Sequence, residues 1–311
     1  MTAELVLPYD APRDVWLKAR REGMGGSDAL AALGLDPWKT RLEVYLDKIG
    51  EAPEREPTDR MRWGQIVEAA ILEWFTDRTG IPVRRKGLMR SIEHPHQQAS
   101  VDAESDDGGI VEIKNTNYHR RGEWEDDQVA DGAEAQSQHY LGVTGRTHAW
   151  VVAQIGGEPP VIRRVERDDA LIADIRAMEL DLWRMVEART PPPLEGGKAA
   201  EALVKRLFPT GVPGKRIDVD AEFMAKLREY GDEHAKYSAA EMRKKAIRAE
   251  LAHVMGDATE AYYGDRLVAT RRNQTKEKAD FAALRARYPE AAADVITETH
   301  FRVFNSKLKE S

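Results

Sequence analysis

Two carboxylates and a lysine lie close together in the segment 100–115, which reads SVDAESDDGGIVEIKN. Its second half has the pattern of a strand, in which successive side chains alternate between the two faces. Glu112 and Lys114 therefore share one face, while the apolar residues beside them point into a core. An upstream strand over 98–104, followed by a turn rich in Asp and Gly, predicts a hairpin that sets Asp102 opposite Glu112.

This arrangement predicts a divalent-metal site. Directly opposed side chains of an antiparallel pair lie about 5 Å apart, and two carboxylates at that distance repel each other unless a cation lies between them. Asp102 and Glu112 supply the hard oxygen ligands that Mg²⁺ prefers, and Ile113 adds a backbone carbonyl. Lys114 can orient an attacking water and stabilise negative charge at a phosphorus atom. Phosphodiester hydrolysis is the reaction that suits these groups.

Composition excludes several other kinds of site. The 311 residues contain no cysteine, which excludes disulfides, thiolate zinc sites, iron–sulfur clusters and cysteine nucleophiles. No segment has the pattern of an export signal or a membrane span, so the cytoplasm is the expected location. The net charge of -7 argues against a nucleic-acid surface that covers the whole molecule. Short basic clusters, such as Arg84-Arg85-Lys86, are candidates for local contacts.

Two helices contribute further candidate residues. The helix predicted over 59–79 has an apolar stripe made of Trp63, Val67, Ile71 and Trp74. Glu68 borders this stripe, either as a boundary residue with its carboxylate in solvent or as an acid held for a metal. The helix predicted over 128–142 carries Gln136 on its core-facing side, where the amide is either bonded structurally or aimed into the site.

A glycine-rich loop precedes another predicted helix. Gly23-Met24-Gly25-Gly26 leads into Ser27 and Asp28, which can cap the helix that follows. Free backbone N–H groups and the helix dipole favour an anion such as phosphate at this position, and Arg20 or Arg21 lies nearby. An ordinary loop with a serine cap is the simpler interpretation of the same residues.

The order of elements predicts a mixed α/β core over residues 1–194. Helices flank the hairpin, and two further strands are expected at 147–154 and 161–165. The polar segment 115–124, between the hairpin and the next helix, predicts an exposed loop near the site.

Residues 195–311 are predicted to form an extension of helices and a hairpin. Its long charged helix, 220–255, is expected to be interrupted or bent near Gly231. A hairpin is expected over 260–270, and a last strand at 300–304. Packing on the core, contact with DNA and assembly are all compatible with this pattern.

Five blocks in order along the chain resemble the lambda-exonuclease and YqaJ-type phage recombinase exonucleases of the PD-(D/E)XK nuclease superfamily. Asp102 followed by Glu112-Ile113-Lys114 is similar to the superfamily signature, with Val101 where that name expects proline. The resemblance covers residues 19–193. The other blocks are Gly25-Gly26-Ser27-Asp28, Leu33-Gly34-Leu35-Asp36-Pro37-Trp38-Lys39, Trp63-Gly64 with Glu68, and Ala135-Gln136-x-Gln138-x-Tyr140 with the following Val143-Thr144-Gly145.

The resemblance implies a restriction-endonuclease-like fold and Mg²⁺-dependent digestion of linear double-stranded DNA from the 5′ end, with Mn²⁺ as a substitute metal. It also implies a phage or prophage protein that works in the bacterial cytoplasm and assembles as a homotrimer around DNA. The product would be a 3′ single strand for a partner that anneals single strands.

The resemblance also implies roles for individual residues. Glu68 would be the helix-borne acid, reaching the metal through water, while Asp102 and Glu112 would be the metal ligands. Lys114 would be the catalytic lysine, and Gln136 would support the site. Ser27 and Arg20 match positions that bind the terminal 5′-phosphate, with Arg21 as the alternative to Arg20.

Two other functions fit the same residues. The first is another nuclease of this fold, either an endonuclease or a Cas4-like repair exonuclease, although the absence of cysteine counts against iron–sulfur members. The second is a DNA-end-binding or assembly protein without catalysis. The presence of every acid and of the lysine argues against an inactive site.

Overall fold

The computed structural model describes residues 2–53, 58–276, 278–297 and 301–306, and it divides into two compact units, Met1–Leu207 and Phe208–Ser311. The strands of the first unit are β1 Ala3–Leu7, β2 Met24–Gly25, β3 Val83–Arg84, β4 Leu88–Ser91, β5 Gln97–Ala99, β6 Ala103–Ser105, β7 Ile110–Thr116, β8 His148–Ile155 and β9 Val161–Glu166. Its helices are α1 Arg13–Arg20, α2 Gly26–Ala32, α3 Arg41–Ile49, α4 Asp59–Thr79, α5 Asp131–Thr144, α6 Asp169–Glu187 and α7 Lys198–Leu207.

A five-stranded mixed sheet, in the order β3-β6-β7-β8-β9, carries the core of the first unit. β7 runs parallel to β8, and the other neighbouring strands are antiparallel. Helix α4 packs Phe75 against the face that carries Val111, while α5 covers the face that carries Ile110. Because side chains alternate along a strand, Glu112 lies on the α5 side of the sheet. The predicted mixed α/β core is confirmed.

The predicted hairpin joins β6 and β7, with Ala103 opposite Val111. Extending this register by one residue sets Asp102 opposite Glu112, in agreement with the prediction. The turn between the strands is the Asp- and Gly-rich segment that the sequence indicated.

The single strand predicted over 98–104 is wrong. Its first part is β5, which belongs to a second sheet in the order β1-β4-β5-β2, and its last part is β6 of the main sheet. Asp102 lies in the break between them. Its carboxylate accepts a hydrogen bond from the backbone N–H of Ile113 at 2.6 Å. The carboxylate oxygen replaces the backbone carbonyl that a paired strand would offer to this N–H, so the chain can pass from one sheet to the other here.

The buried face of α4 differs from the predicted stripe. Trp63 is 56% exposed, whereas Ile71, Leu72 and Phe75 are buried. Only the C-terminal half of the helix packs against the sheet, so the apolar residues of its first turns have no core to enter. Glu68 precedes Leu72 and Phe75 on the row that leads into the buried face.

Residues 117–122 are exposed, as predicted, but the segment 115–124 does not form a loop. Strand β7 continues to Thr116, and Tyr118–Trp124 forms a 3-10 helix. Trp124 is buried in the main core cluster, which anchors this segment. A short helix fixed by one aromatic residue has no periodic signal in the sequence.

The first unit extends beyond the predicted boundary at residue 194. Helix α7 packs on it through the fully buried Leu203, and Arg206 forms an ion pair of 2.7 Å with Glu43 of α3. Strands β1, β3 and β4 were likewise not predicted, because they are short and pair with segments distant in sequence.

The second unit contains α8 Ala221–Met255, strands β10 Glu260–Tyr263 and β11 Arg266–Thr270, and helices α9 Phe281–Arg287 and α10 Pro289–Val295. The predicted hairpin β10–β11 is confirmed. The interruption predicted at Gly231 is wrong, since α8 is continuous and one helical glycine costs only about 1 kcal/mol. Residues 301–304 of the predicted last strand form no strand, and His300 lies outside the described residues. Within the described ranges, no helix combines the length and apolar character of a membrane span.

Candidate active site

Strand β7 and helix α5 bring the central charged groups into contact. Lys114 Nζ lies 2.7 Å from Glu112 Oε1 and donates to Gln136 Oε1 at 2.7 Å. Gln136 Nε2 donates to the same Glu112 oxygen at 2.8 Å and to the Tyr140 hydroxyl at 3.0 Å. The amide of Gln136 therefore bridges the acid and the lysine, and its position on α5 aims it into this site.

Asp102 is half-buried and Glu112 is buried, and the charge of Glu112 disfavours ionisation of Asp102. Burial raises the pKa of Asp102 well above its usual range, and the charge of Glu112 raises it further. Burial also raises the pKa of Glu112, although the ammonium of Lys114 opposes this shift. A cation between the two acids would stabilise both of them in the ionised form.

Helix α4 directs Glu68 into a cleft next to Asp102. The cleft has a volume of about 370 Å³. Glu68 and Asp102 line it, together with Gln65, Arg85 and Tyr9, among others. Glu68 forms an ion pair with Arg85, whose guanidinium lies 4.9 Å from the centre of the Tyr9 ring. The sequence indicated Arg85 only as part of a basic cluster, because its pairing with α4 has no spacing signal.

The donor set fits Mg²⁺. Glu112 Oε2 is buried and has no hydrogen-bond partner within the described structure, which leaves an oxygen free for a ligand. Across the described ranges, no three His, Asp or Glu side chains converge as a ready-made metal cluster. Mg²⁺ keeps several waters and is commonly bound by one or two carboxylates, so Asp102 and Glu112 suffice for it, whereas a closed zinc site would need more ligands.

A second polar cluster surrounds Asp28 at the start of α2. Arg20 donates to Ser27 Oγ at 2.7 Å, and Asp28 is fully buried between Lys39 at 2.6 Å and Lys48 at 2.7 Å. Burial alone would raise the pKa of Asp28, but the three nearby cations hold it well below its usual range. Sequence reasoning missed Lys39 and Lys48 as members of this cluster. We call it the anion pocket after the phosphate-binding role that the resemblance implies for Arg20 and Ser27.

The structure distinguishes between the two neighbouring arginines. Arg21 is half exposed and, among the described residues, forms an ion pair only with Asp47, at 3.9 Å, whereas Arg20 donates a hydrogen bond to Ser27. The predicted cap is confirmed for Asp28, whose carboxylate accepts the Gly25 N–H at 3.1 Å from within the first turn, but it is wrong for Ser27, because α2 begins at Gly26.

The anion pocket lies directly beside the group formed by Asp102, Glu112, Lys114 and Gln136, which we call the carboxylate site. Gly26 forms a wall between the two, because it packs against Tyr140 and Gln136. A Cβ atom at Gly26 would lie 2.6 Å from the Tyr140 ring and 2.9 Å from Gln136. Such contacts are too close for any side chain, so glycine is required where α2 meets α5. The two sites therefore occupy one continuous region of the first unit.

The 5′-phosphate-binding role that the resemblance implies for Arg20 predicts that Arg20→Ala lowers the preference for 5′-phosphorylated over 5′-hydroxyl DNA ends by roughly tenfold to a hundredfold, because a hydrogen bond to a charged group is worth about 1.5–3 kcal/mol. The ratio of initial cleavage rates on the two substrates measures this preference. Arg21→Ala is the matched control and should retain the ratio. An unchanged ratio in Arg20→Ala would remove Arg20 from the pocket.

Comparison with known proteins places the chain in a family. Residues 15–147 match the model of the YqaJ-like viral recombinase domain. The chain is 34% identical over 301 residues to YqaJ of Bacillus subtilis (strain 168), covering 95% of this chain and 94% of the relative.

Two solved exonucleases are also similar in structure. The alkaline exonuclease LHK-Exo of Laribacter hongkongensis has 23% identity and a TM-score of 0.48, covering 57% of this chain and 94% of that one. A phage-related exonuclease of Haemophilus somnus 129PT has 10% identity and a TM-score of 0.43, covering 54% and 94%. The identity to YqaJ over nearly the whole chain confirms the resemblance predicted from the sequence: this chain belongs to the YqaJ-like viral recombinase family.

Proposed function

We propose that the chain is a Mg²⁺-dependent exonuclease that digests linear double-stranded DNA from its 5′ end in the cytoplasm of a bacterial host. The observation that supports this most is the wall shared by the anion pocket and the carboxylate site, where Gly26 meets Tyr140 and Gln136. A carboxylate and lysine centre alone suits cleavage anywhere in DNA. An anion pocket beside it suits a substrate held by a terminal phosphate.

Asp102, Glu112 and the Ile113 carbonyl would hold Mg²⁺, or Mn²⁺ in its place, and Glu68 would act through water. When bound, the ion supplies positive charge that neutralises the phosphate and acidifies water. Every acid in this set belongs to the region around β6, β7 and α4.

The side chains around the metal ligands perform the remaining tasks. Lys114 orients the attacking water and stabilises the charge that develops on the phosphate oxygens. The side-chain amide of Gln136 fixes the positions of Lys114 and Glu112, because it accepts a hydrogen bond from Lys114 and donates one to Glu112. The water oxygen bonds to phosphorus, the bond from phosphorus to the 3′ oxygen of the terminal nucleotide breaks, and that oxygen takes up a proton.

The chemistry of the product suits the anion pocket. Cleavage on the 3′ oxygen side leaves a phosphate on the new 5′ end of the shortened strand. Arg20 and Ser27 can therefore bind the same group after each cycle. The complementary strand remains as a 3′ single strand, the substrate of an annealing partner, and assembly of the chain as a homotrimer would keep the DNA enclosed between cycles.

Incubation with Mg²⁺ of 5′-end-labelled linear duplex and of covalently closed circular DNA tests this function. We expect the linear DNA to release its 5′ label as mononucleotide, while the circle stays intact because it has no end. Cutting of the circle would instead assign an endonuclease. Binding of the linear duplex without cleavage of either DNA would instead assign a DNA-end-binding protein.

A further inference from the structure

The second unit carries positive charge that the active site does not use. The whole chain has a net charge of -7, yet the segment 243–278 contains nine Lys and Arg residues against five Asp and Glu residues. This segment covers the last turns of α8, the hairpin β10–β11 and the residues that follow. It lies outside the residues matched by the family model, although the match to YqaJ spans 301 residues and so includes it.

Helix α8 presents this charge on an open surface. None of its residues is buried. Tyr230, Tyr237 and Lys244 follow one another at intervals of seven residues, and Arg248 comes four residues later, so all four lie on one face. Tyr237 is 66% exposed. In the described part of the chain, Arg243, Lys244 and Arg248 form no ion pair, whereas lysines in the first half of the helix pair with Glu229 and Glu233.

The hairpin continues the surface beyond the end of α8. Arg271 donates to the carbonyls of Ala252 and Gly256 at 3.2 and 2.7 Å, which ties the base of the hairpin to the last turn of the helix. At the other end, Tyr263 is opposite Arg266 and is 83% exposed. An isolated two-stranded hairpin is marginally stable in water, and this one has no third strand among the described residues. A ligand that contacts the hairpin would therefore also stabilise it.

We infer that the last turns of α8 and the hairpin β10–β11 form a second DNA-contacting surface, which binds the phosphodiester backbone. Unpaired Lys and Arg side chains are complementary to a regular polyanion, and the exposed Tyr263 of the hairpin offers stacking to a base or sugar. An acidic protein would satisfy the charges but would give Tyr263 no base to stack on. The inference rests on the proposed function only in taking DNA as the polyanion.

Equilibrium binding without metal tests this surface, because it requires no hydrolysis. In the full chain, the triple substitution Arg243→Gln, Lys244→Gln and Arg248→Gln is expected to raise the Kd for a blunt duplex about tenfold or more and to lower the salt slope by up to about three. The control removes three positive charges from the first half of the same helix, by Lys226→Gln, Arg228→Gln and Lys236→Gln. It should leave both quantities near those of the unsubstituted chain.

A single strand of the same length, measured in parallel, distinguishes contact with the duplex substrate from contact with the single-stranded product. A selective loss of affinity for either form supports the surface and identifies the form that it binds. Equal Kd values for the triple variant and its control would overturn the inference. This outcome is separate from the cleavage test, since an inactive chain could still lose DNA affinity and an active one could retain it.

Discussion

Lys114→Ala is expected to lower the rate of phosphodiester hydrolysis by about a hundredfold or more, because loss of one group that stabilises transition-state charge commonly has an effect of that size. The ammonium lies against Glu112 and Gln136 inside the site, so no solvent-exposed lysine can replace it. Single-turnover hydrolysis of a 5′-phosphorylated duplex measures the rate directly.

Loss of Lys114 also removes the cation beside Glu112, whose pKa burial has already raised. Titration calorimetry with Mg²⁺ therefore has to accompany the rate, so that lost chemistry is separated from lost metal affinity. Lys198→Ala, at the exposed start of α7, is the matched control and should hydrolyse DNA at the normal rate. A near-normal rate in Lys114→Ala itself would refute a catalytic role.

Asp102→Asn is expected to have opposite effects on activity and stability. Hydrolysis should fall at least about a hundredfold, because a bound metal contributes several kcal/mol of transition-state stabilisation and about 1.4 kcal/mol corresponds to tenfold in rate. The metal-free protein should become more stable, because the neutral amide relieves the repulsion between Asp102 and Glu112 and the cost of burying a charge. The amide oxygen can still accept the Ile113 N–H.

Thermal unfolding in a chelator measures the second effect, with a rise in Tm of roughly 2–4 °C for each 1 kcal/mol relieved. Asp174→Asn removes the same charge from the exposed side of α6 and should leave both Tm and activity unchanged. A lower Tm for Asp102→Asn would mean that the carboxylate contributes to folding, which contradicts a site built for an added cation.

Local patterns predicted the parts of the site that depend on neighbours in sequence. The alternation of side chains along β7 and the turn before it were sufficient to set Asp102 opposite Glu112. The same logic failed for the strand over 98–104, because the switch between sheets depends on where β4 and β2 offer pairing partners to β5. A strand pattern carries no information about which sheet the strand joins.

Helical periodicity was correct about the presence and length of α4, about the burial of Ile71 and about the partial burial of Val67, but wrong about Trp63. The position of Trp63 follows from the extent of the sheet beneath the helix, which ends before the first turns. The prediction that Gly231 interrupts α8 failed for a related reason. The low helix propensity of glycine indicates a weak point in a helix, but it cannot show whether the neighbouring turns are stable enough for the helix to continue through that point.

The residue types and spacing of the segment 100–115, with Ser27, Glu68 and Gln136 in order along the chain, were sufficient to predict the family, because each motif is local. The tertiary structure alone brought Arg85 to Glu68, Lys39 and Lys48 to Asp28, and Gly26 to Tyr140. These contacts join elements far apart in sequence. Their partners are chosen by the packing of sheets and helices around a common core, which no periodicity within a single element can express.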